Sequence, residues 1–138
     1  MIRAALDKGG LIDITTNGRR SGEPRRIEIG FHNVGGRLVI AGRPVPEQTT
    51  AWFRNLEADS RLTVHLKHGV VTDLPATARI VTGEAERREL ADHVARSWNN
   101  SERVVQVWGR TDVDAMVTWS PIVEVIIPGY EPTAQRSS

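Results

Sequence analysis

The sequence predicts a mainly β chain of the α+β kind: a barrel of mostly antiparallel strands with two or three helices packed against it. Three observations carry that expectation. Short β-branched runs with apolar residues at alternate positions recur along the chain, about seven in all. Turns rich in glycine and proline, of hairpin length, separate most of them. One strongly periodic helical stretch lies after residue 83, among the strands rather than between parallel pairs of them.

The first strand is expected at 11–16 (Leu-Ile-Asp-Ile-Thr-Thr), and Asn17-Gly18 turns the chain. Ser21-Gly22-Glu23-Pro24 extends that turn into a loop. Residues 26–32 then alternate strictly, with Ile27, Ile29 and Phe31 on one face and Arg26, Glu28 and Gly30 on the other. Gly35-Gly36 closes a hairpin onto a strand at 37–41. The prolines of 42–48 make a loop. Thr49 or Thr50 then caps a short helix with Trp52, Phe53 and Leu56 on its buried side, ended by Asp59-Ser60. The run 61–67 points Leu62, Val64 and Leu66 inward. After His68-Gly69, residues 70–74 and 76–82 form one long strand or two, with Pro75 at a bulge or edge. Residues 84–97 form the clearest helix, with Leu90 and Val94 on its apolar face and acids in its first turn, as the helix dipole prefers. The stretch 99–120 reads ambiguously as to element type. A last strand at 122–127 stops at Pro128-Gly129. One domain is expected over 1–130, with a disordered tail at 131–138.

Composition narrows the function. Apolar residues make up 39% and charged residues 25% of 138, which argues against wholesale disorder. With no cysteine there is no disulfide framework, thiolate metal site or thiol catalysis. The N-terminal residues lack a signal-peptide core and no apolar run reaches membrane-span length, so a cytoplasmic protein without membrane insertion is expected. The formal net charge of +1 argues against a general nucleic-acid binder. The charge is uneven, +4 over residues 1–80 and −3 over 81–138.

Much of the basic excess sits in Arg19-Arg20-Ser21-Gly22-Glu23-Pro24-Arg25-Arg26. Two arginine pairs flanking a tight turn can converge on one anion, because the planar guanidinium binds phosphate and carboxylate bidentately. The alternative is a solvated basic turn. The start of the helix at Ala51 offers free N–H donors, or is an ordinary capped helix whose Trp52 fills the core. His65 and His68 lie three apart, on opposite faces of a strand, a poor arrangement for one metal, and no metal site is expected. His32 and His93 read as isolated structural residues. Ser21, Ser97, Ser101 and Ser120 fall in no nucleophile-elbow pattern. Trp98, Trp108 and Trp119 either line a flat apolar pocket for an aromatic ligand or pack the last helix onto the barrel.

The run from Thr15 to Arg25, Thr-Thr-Asn-Gly-Arg-Arg-Ser-Gly-Glu-Pro-Arg, resembles the signature of the deazaflavin-dependent nitroreductase family. These are split β-barrel oxidoreductases, FMN-binding split-barrel-like in fold, that use coenzyme F420. The resemblance continues through Gly35-Gly36-Arg37-Leu38-Val39-Ile40-Ala41 and resumes over 51–64 (Ala-Trp-Phe-Arg-Asn-Leu-Glu-Ala-Asp-Ser-Arg-Leu-Thr-Val), so that it spans 11–127. It implies that Arg19, Arg20, Ser21, Arg25 and Arg26 hold the phosphate and oligoglutamate tail of the coenzyme. It further implies that Ile27, Glu28, Ile29 and Gly30 run along it. Ala41, Gly42 and Arg43, with Ala51, Trp52, Phe53 and Asn55, would hold the region of the deazaflavin ring. The chain departs from the pattern in its Pro44-Val45-Pro46 stretch, in having Trp98, Trp108 and Trp119 where some members place substrate tyrosines, and in showing no counterpart of their N-terminal helix.

The resulting expectation is an oxidoreductase that transfers a hydride between F420 and a small planar acceptor such as a quinone, enone or nitroaromatic, with no side chain named as catalytic. The alternatives are an FMN-dependent split-barrel reductase or oxidase, and a binding module without catalysis. Single-stranded nucleic acid would need exposed aromatics on the basic face, where Phe31 and Trp52 read as buried. A homodimer is left open.

Overall fold

The computed structural model describes residues 1–46 and 50–130. Among these the chain runs α1 (Ile2–Lys8), β1 (Gly10–Asn17), β2 (Pro24–Val34), β3 (Arg37–Ala41), α2 (Ala51–Ala58), β4 (Arg61–Leu66), β5 (Thr72–Ile80), α3 (Glu84–Asn99), α4 (Glu102–Trp108), α5 (Val113–Trp119) and β6 (Ile122–Ile126). The six strands close into one barrel in the order β1-β2-β3-β6-β5-β4, with every neighbouring pair antiparallel. The expected barrel is therefore present, and closure leaves no full-length strand edge.

Alternation decides which residues fill it. Ile12, Ile14 and Thr16 of β1 point inward and are buried, whereas Leu11, Asp13 and Thr15 face out. Phe31, Ile40, Leu62, Val64, Leu66, Val123 and Val125 complete the interior. Leu6 of α1 plugs the end where β1 begins, and Trp52 and Leu56 of α2 plug the end where it finishes. Full burial of Leu6, which is 1% exposed, contributes about 2 kcal/mol. A second core lies outside the barrel. There Val39, Ala41 and Ile122 meet Leu90, Ala91, Val94 and Ala95 of α3 and Met116 of α5.

The structure corrects two expectations and decides between two alternatives for a third stretch. An N-terminal helix is present. It is short, and its helix formers Ala4, Ala5 and Leu6 are followed by Gly9 at φ 74°, a residue free to leave the helix. Of the one strand or two expected over 70–82, one is present, β5 from Thr72 to Ile80, and it passes straight through Pro75, which pairs with Thr63. The missing N–H is tolerated because β6 pairs only with Thr77–Ile80, leaving that side of Pro75 without a partner strand. The ambiguous 99–120 stretch resolves into α4 and α5, so the described helices number five rather than two or three. Thr50 occupies the cap position of α2 without a side-chain cap bond. The expectations for Thr49 and for the tail at 131–138 fall outside the described residues.

Candidate coenzyme pocket and acceptor cleft

The loop between β1 and β2 is tight. The Gly18 N–H donates to the Glu23 carbonyl (2.8 Å), the Gly22 N–H to the Gly18 carbonyl (2.7 Å), and the Glu23 N–H to Ser21 Oγ (3.1 Å). Gly22 has φ 73°, which suits glycine, and a Cβ on Gly18 would lie 2.9 Å from Ser21 Oγ. Asn55 of α2 pins the loop from below. Its Oδ1 accepts from the Arg19 N–H (3.0 Å), and its Nδ2 donates to the buried Thr16 hydroxyl (3.0 Å). Asn17 donates to Asp59 (3.0 Å), whose carboxylate is also held by both Nε and Nη2 of Arg61. These bonds, the Arg61 guanidinium first, keep the Asp59 carboxyl well below the usual carboxylate range.

This arrangement shapes a cavity of about 580 Å³ at the α2 end of the barrel. Arg19, Arg20, Ser21, Arg25, Arg26 and Ile27 line one wall, and Ala51, Trp52 and Asn55 line the other. Among the described residues, the guanidiniums of Arg19, Arg20 and Arg25 make no ion pair or side-chain hydrogen bond. Arg26 differs: its Nε is 3.0 Å from Asp13, which Lys67 also holds (2.7 Å), and Lys67 reaches Glu28 as well. Lys67 first, then Arg26, lowers the Asp13 carboxyl below its ordinary range.

A second cavity, about 550 Å³, lies on the outer flank of the barrel under α3 and α4. Leu11, Glu28, Ile29, Gly30 and Ala41 form its floor. Trp98, Arg103, Val104, Val107 and Trp108 form its far wall. Gly30 leaves bare backbone there, and a side chain at that position would project into open space. The Trp98 and Trp108 rings meet edge to face, with centroids 6.0 Å apart. Behind Trp98 stands His32, 6.1 Å from its ring and 6.4 Å from that of His93, so the two histidines are neighbours and not isolated. Burial, with a smaller contribution from His93, lowers the His32 pKa to about 4.

The expected site residues thus divide. Nine of them gather at the arginine pocket: Arg19, Arg20, Ser21, Arg25, Arg26, Ile27, Ala51, Trp52 and Asn55. Glu28, Ile29, Gly30, Ala41, Trp98 and Trp108 gather at the flank cleft. Gly42 sits between Pro121 and Trp52, and Phe53 packs edge to face on Trp52. Arg43 is engaged on Trp108, its guanidinium 5.1 Å above the ring. Trp119 lies on α5, 43% exposed, and lines neither cavity. His65 is buried between Thr15 (2.6 Å) and Asp73 (2.7 Å). Two residues went unnoticed in the sequence. Arg103 lines the cleft, and Arg87 donates to the carbonyls of Val81, Met116, Val117 and Ser120. An arginine in a helix of mixed charge carries no sequence signal for either role.

Solved structures of similar shape place the barrel in the split-barrel class known from flavin-binding proteins. A conserved hypothetical protein from Mycobacterium tuberculosis superposes with a TM-score of 0.65 at 15% identity, over 92% of this chain and 78% of that one. A Bacteroides thetaiotaomicron protein named for 5-nitroimidazole antibiotic resistance gives 0.63 at 12%, over 92% and 78%. An F420-H2 dependent reductase gives 0.52 at 17%, over 85% and 93%. The profile of the F420H(2)-dependent quinone reductases matches residues 2–119, and the chain belongs to that family. It is an oxidoreductase, and its coenzyme is F420. The residues present fit that coenzyme: three uncommitted guanidiniums and the Ser21 hydroxyl form a donor set for an anionic tail. No helix among the described residues is long and apolar enough to cross a membrane.

Proposed function

We propose that the protein reduces a small planar acceptor, a quinone in the first instance, with a hydride from reduced F420. The observation that supports this reading most is the placement of the two cavities along one strand. Arg25, Arg26 and Ile27 of β2 line the arginine pocket, and the next three residues, Glu28, Ile29 and Gly30, line the aromatic cleft. When bound, F420 supplies the hydride. Arg19, Arg20 and Arg25 hold its anionic tail, with Ser21 adding a donor. Asn55 acts one step back, fixing the loop that carries Arg19. Gly30 keeps the floor of the cleft flat. Trp98 and Trp108 set an aromatic wall against the acceptor, exclude water and hold the acceptor within reach of the coenzyme.

The test is a fluorescence titration with F420, run beside FMN, on the wild type and on the Arg19→Ala/Arg20→Ala double variant. The wild type is expected to bind F420 at micromolar concentration or tighter, in preference to FMN. Losing two charge-assisted contacts should weaken binding by about 100-fold or more, with little change in the melting temperature. Unchanged affinity in the double variant would remove the tail-binding assignment. Preference for FMN would keep the fold and replace the coenzyme.

A further inference from the structure

We infer that α4 is a flap over the acceptor cleft, and that Arg43 is the positioning residue that latches it. The flap is separate from both hydrophobic cores: none of its residues is buried. Its apolar side chains Val104, Val107 and Trp108 line the cleft, yet Val107 is 69% exposed and Trp108 45%. A helix packed permanently on the barrel would bury them.

The flap is also a discrete unit. At its neck the Asn99 side chain makes both possible bonds to the Thr111 backbone, Nδ2 to the carbonyl (3.0 Å) and Oδ1 from the N–H (2.7 Å). Those two bonds close residues 100–110 into an excursion with its ends pinned together. Ser101 caps the start of the helix, and Gly109, at φ 79°, ends it.

At the C-terminal end of α4, Arg43 reaches across from the loop after β3. Its Nη2 donates to the Trp108 carbonyl (3.2 Å) while its guanidinium lies over the Trp108 indole. One side chain thus satisfies a carbonyl at the C-terminus of α4 and fixes the ring that faces the acceptor. Trp108 in turn meets Trp98 edge to face, so the latch sets the shape of the whole aromatic wall. Held closed, the cleft favours one flat ring system over a bulky acceptor. Arg43 therefore acts on acceptor selectivity through Trp108, without touching the acceptor.

Hydrogen–deuterium exchange on the full chain tests the latch without any need for activity. In Arg43→Gln, exchange across 101–110 is expected to rise about tenfold, the scale of one charge-assisted hydrogen bond with a cation–π contact, while the six strands stay unchanged. Arg43→Lys keeps the charge but loses the planar fork and should fall between. Asn99→Ala, which unpins the neck of the flap, should raise exchange in the same residues. Exchange that rises nowhere, or throughout the barrel, overturns the proposal.

A second arm rests on the quinone-reductase reading above. With F420H2, Arg43→Gln should raise KM for the small naphthoquinone menadione about tenfold and alter kcat less. KM for a quinone bearing a bulky ring substituent should change less than about twofold. Equal losses for both acceptors overturn the selectivity role. Absence of quinone turnover by the wild type would fall on the proposed function and leave the exchange result standing.

Discussion

Lowering the pH from 7 to 5 should weaken the fold through His32, by an amount that the structure allows to be worked out. The Nε2 atom of His32 is sealed from water and has no hydrogen-bond partner. Its neighbours are the rings of Trp98 and His93, neither of which offers an anion to a proton gained there. The folded protein therefore holds the imidazole neutral, with its pKa lowered from 6.5 to about 4, by burial first and by His93 second. In the unfolded chain the same ring protonates near pH 6.5. The unfolded state thus binds more protons between those values, and stability falls as pH drops from about 6.5 to about 4. The full shift is worth about 3 kcal/mol, of which about 2 kcal/mol is lost between pH 7 and pH 5. The stabilised carboxylates do not interfere in this window. Asp13 and Glu86, lowered by Lys67 and Arg79 respectively, contribute stability that is lost only as pH falls below their ordinary values of 3.8 and 4.5. Urea unfolding of the wild type and of His32→Phe at half-unit steps from pH 7.5 to 5 measures the effect. The variant should show the shallower slope by about 2 kcal/mol across that range. Parallel profiles would mean that His32 is hydrated or partnered in solution, and the argument from its burial would fail.

Three further outcomes follow from the packing. Asn55→Ala leaves the Arg19 N–H and the Thr16 hydroxyl without their partner, so it should cost about 1–3 kcal/mol in chemical denaturation and also weaken coenzyme binding in the titration. Gly42→Ala would set a Cβ 2.6 Å from Pro121 Cγ, and the backbone shift this forces should cost about 1–3 kcal/mol, read as a lower thermal midpoint. Arg87→Ala removes the donor shared by four carbonyls where α5 meets the end of β5; a loss of about 3 kcal/mol is expected, partly restored by Arg87→Lys if charge matters more than the fork.

The barrel was legible because alternation survives wherever one face of a strand is buried and the other is wet. Ile27, Ile29 and Phe31 turn inward in β2 as their spacing requires, while Arg26 and Glu28 stand in solvent. The arginine loop was legible because local turn chemistry, Asn17-Gly18 and Gly22, marks it in the sequence, whereas its anchoring by Asn55 and Asp59 of the α2 region was not. What stayed hidden depends on tertiary contact. The helix α1 is too short to announce itself and is held by tertiary contacts: the burial of Leu6, and bonds from Asn33 to the Leu6 carbonyl and from Tyr130 to Asp7. The helix α4 is only seven residues long, so the apolar spacing of Val104, Val107 and Trp108 is too short a run to identify it. Of three tryptophans close in sequence, two meet at the cleft and Trp119 does not, a distinction made by the direction of α5. The pairing of His32 with His93 spans β2 and α3, and no local pattern encodes it.

The distribution of ion pairs supports the proposed role of the arginine loop. Arg26, Arg37, Arg61, Arg79, Arg88 and Arg96 each stand against a carboxylate. In a chain with 17 acidic residues, carboxylates are plentiful enough to serve the loop as well. Yet Arg19, Arg20 and Arg25 share one cavity with no acidic lining residue, although mutual repulsion of neighbouring cations works against holding them together. Folding alone does not call for such a cluster, since Asn55 fixes the loop through its backbone and Ser21 through its own turn. An anion that spans several guanidiniums at once does call for it. Under the proposed function a phosphate and carboxylate tail would be that anion, whereas the single phosphate of FMN would leave part of the cluster unmatched. Arg26, though it lines the same cavity, is tied to Asp13: it stands on β2 where the cationic wall of the pocket gives way to the aromatic cleft that begins at Glu28.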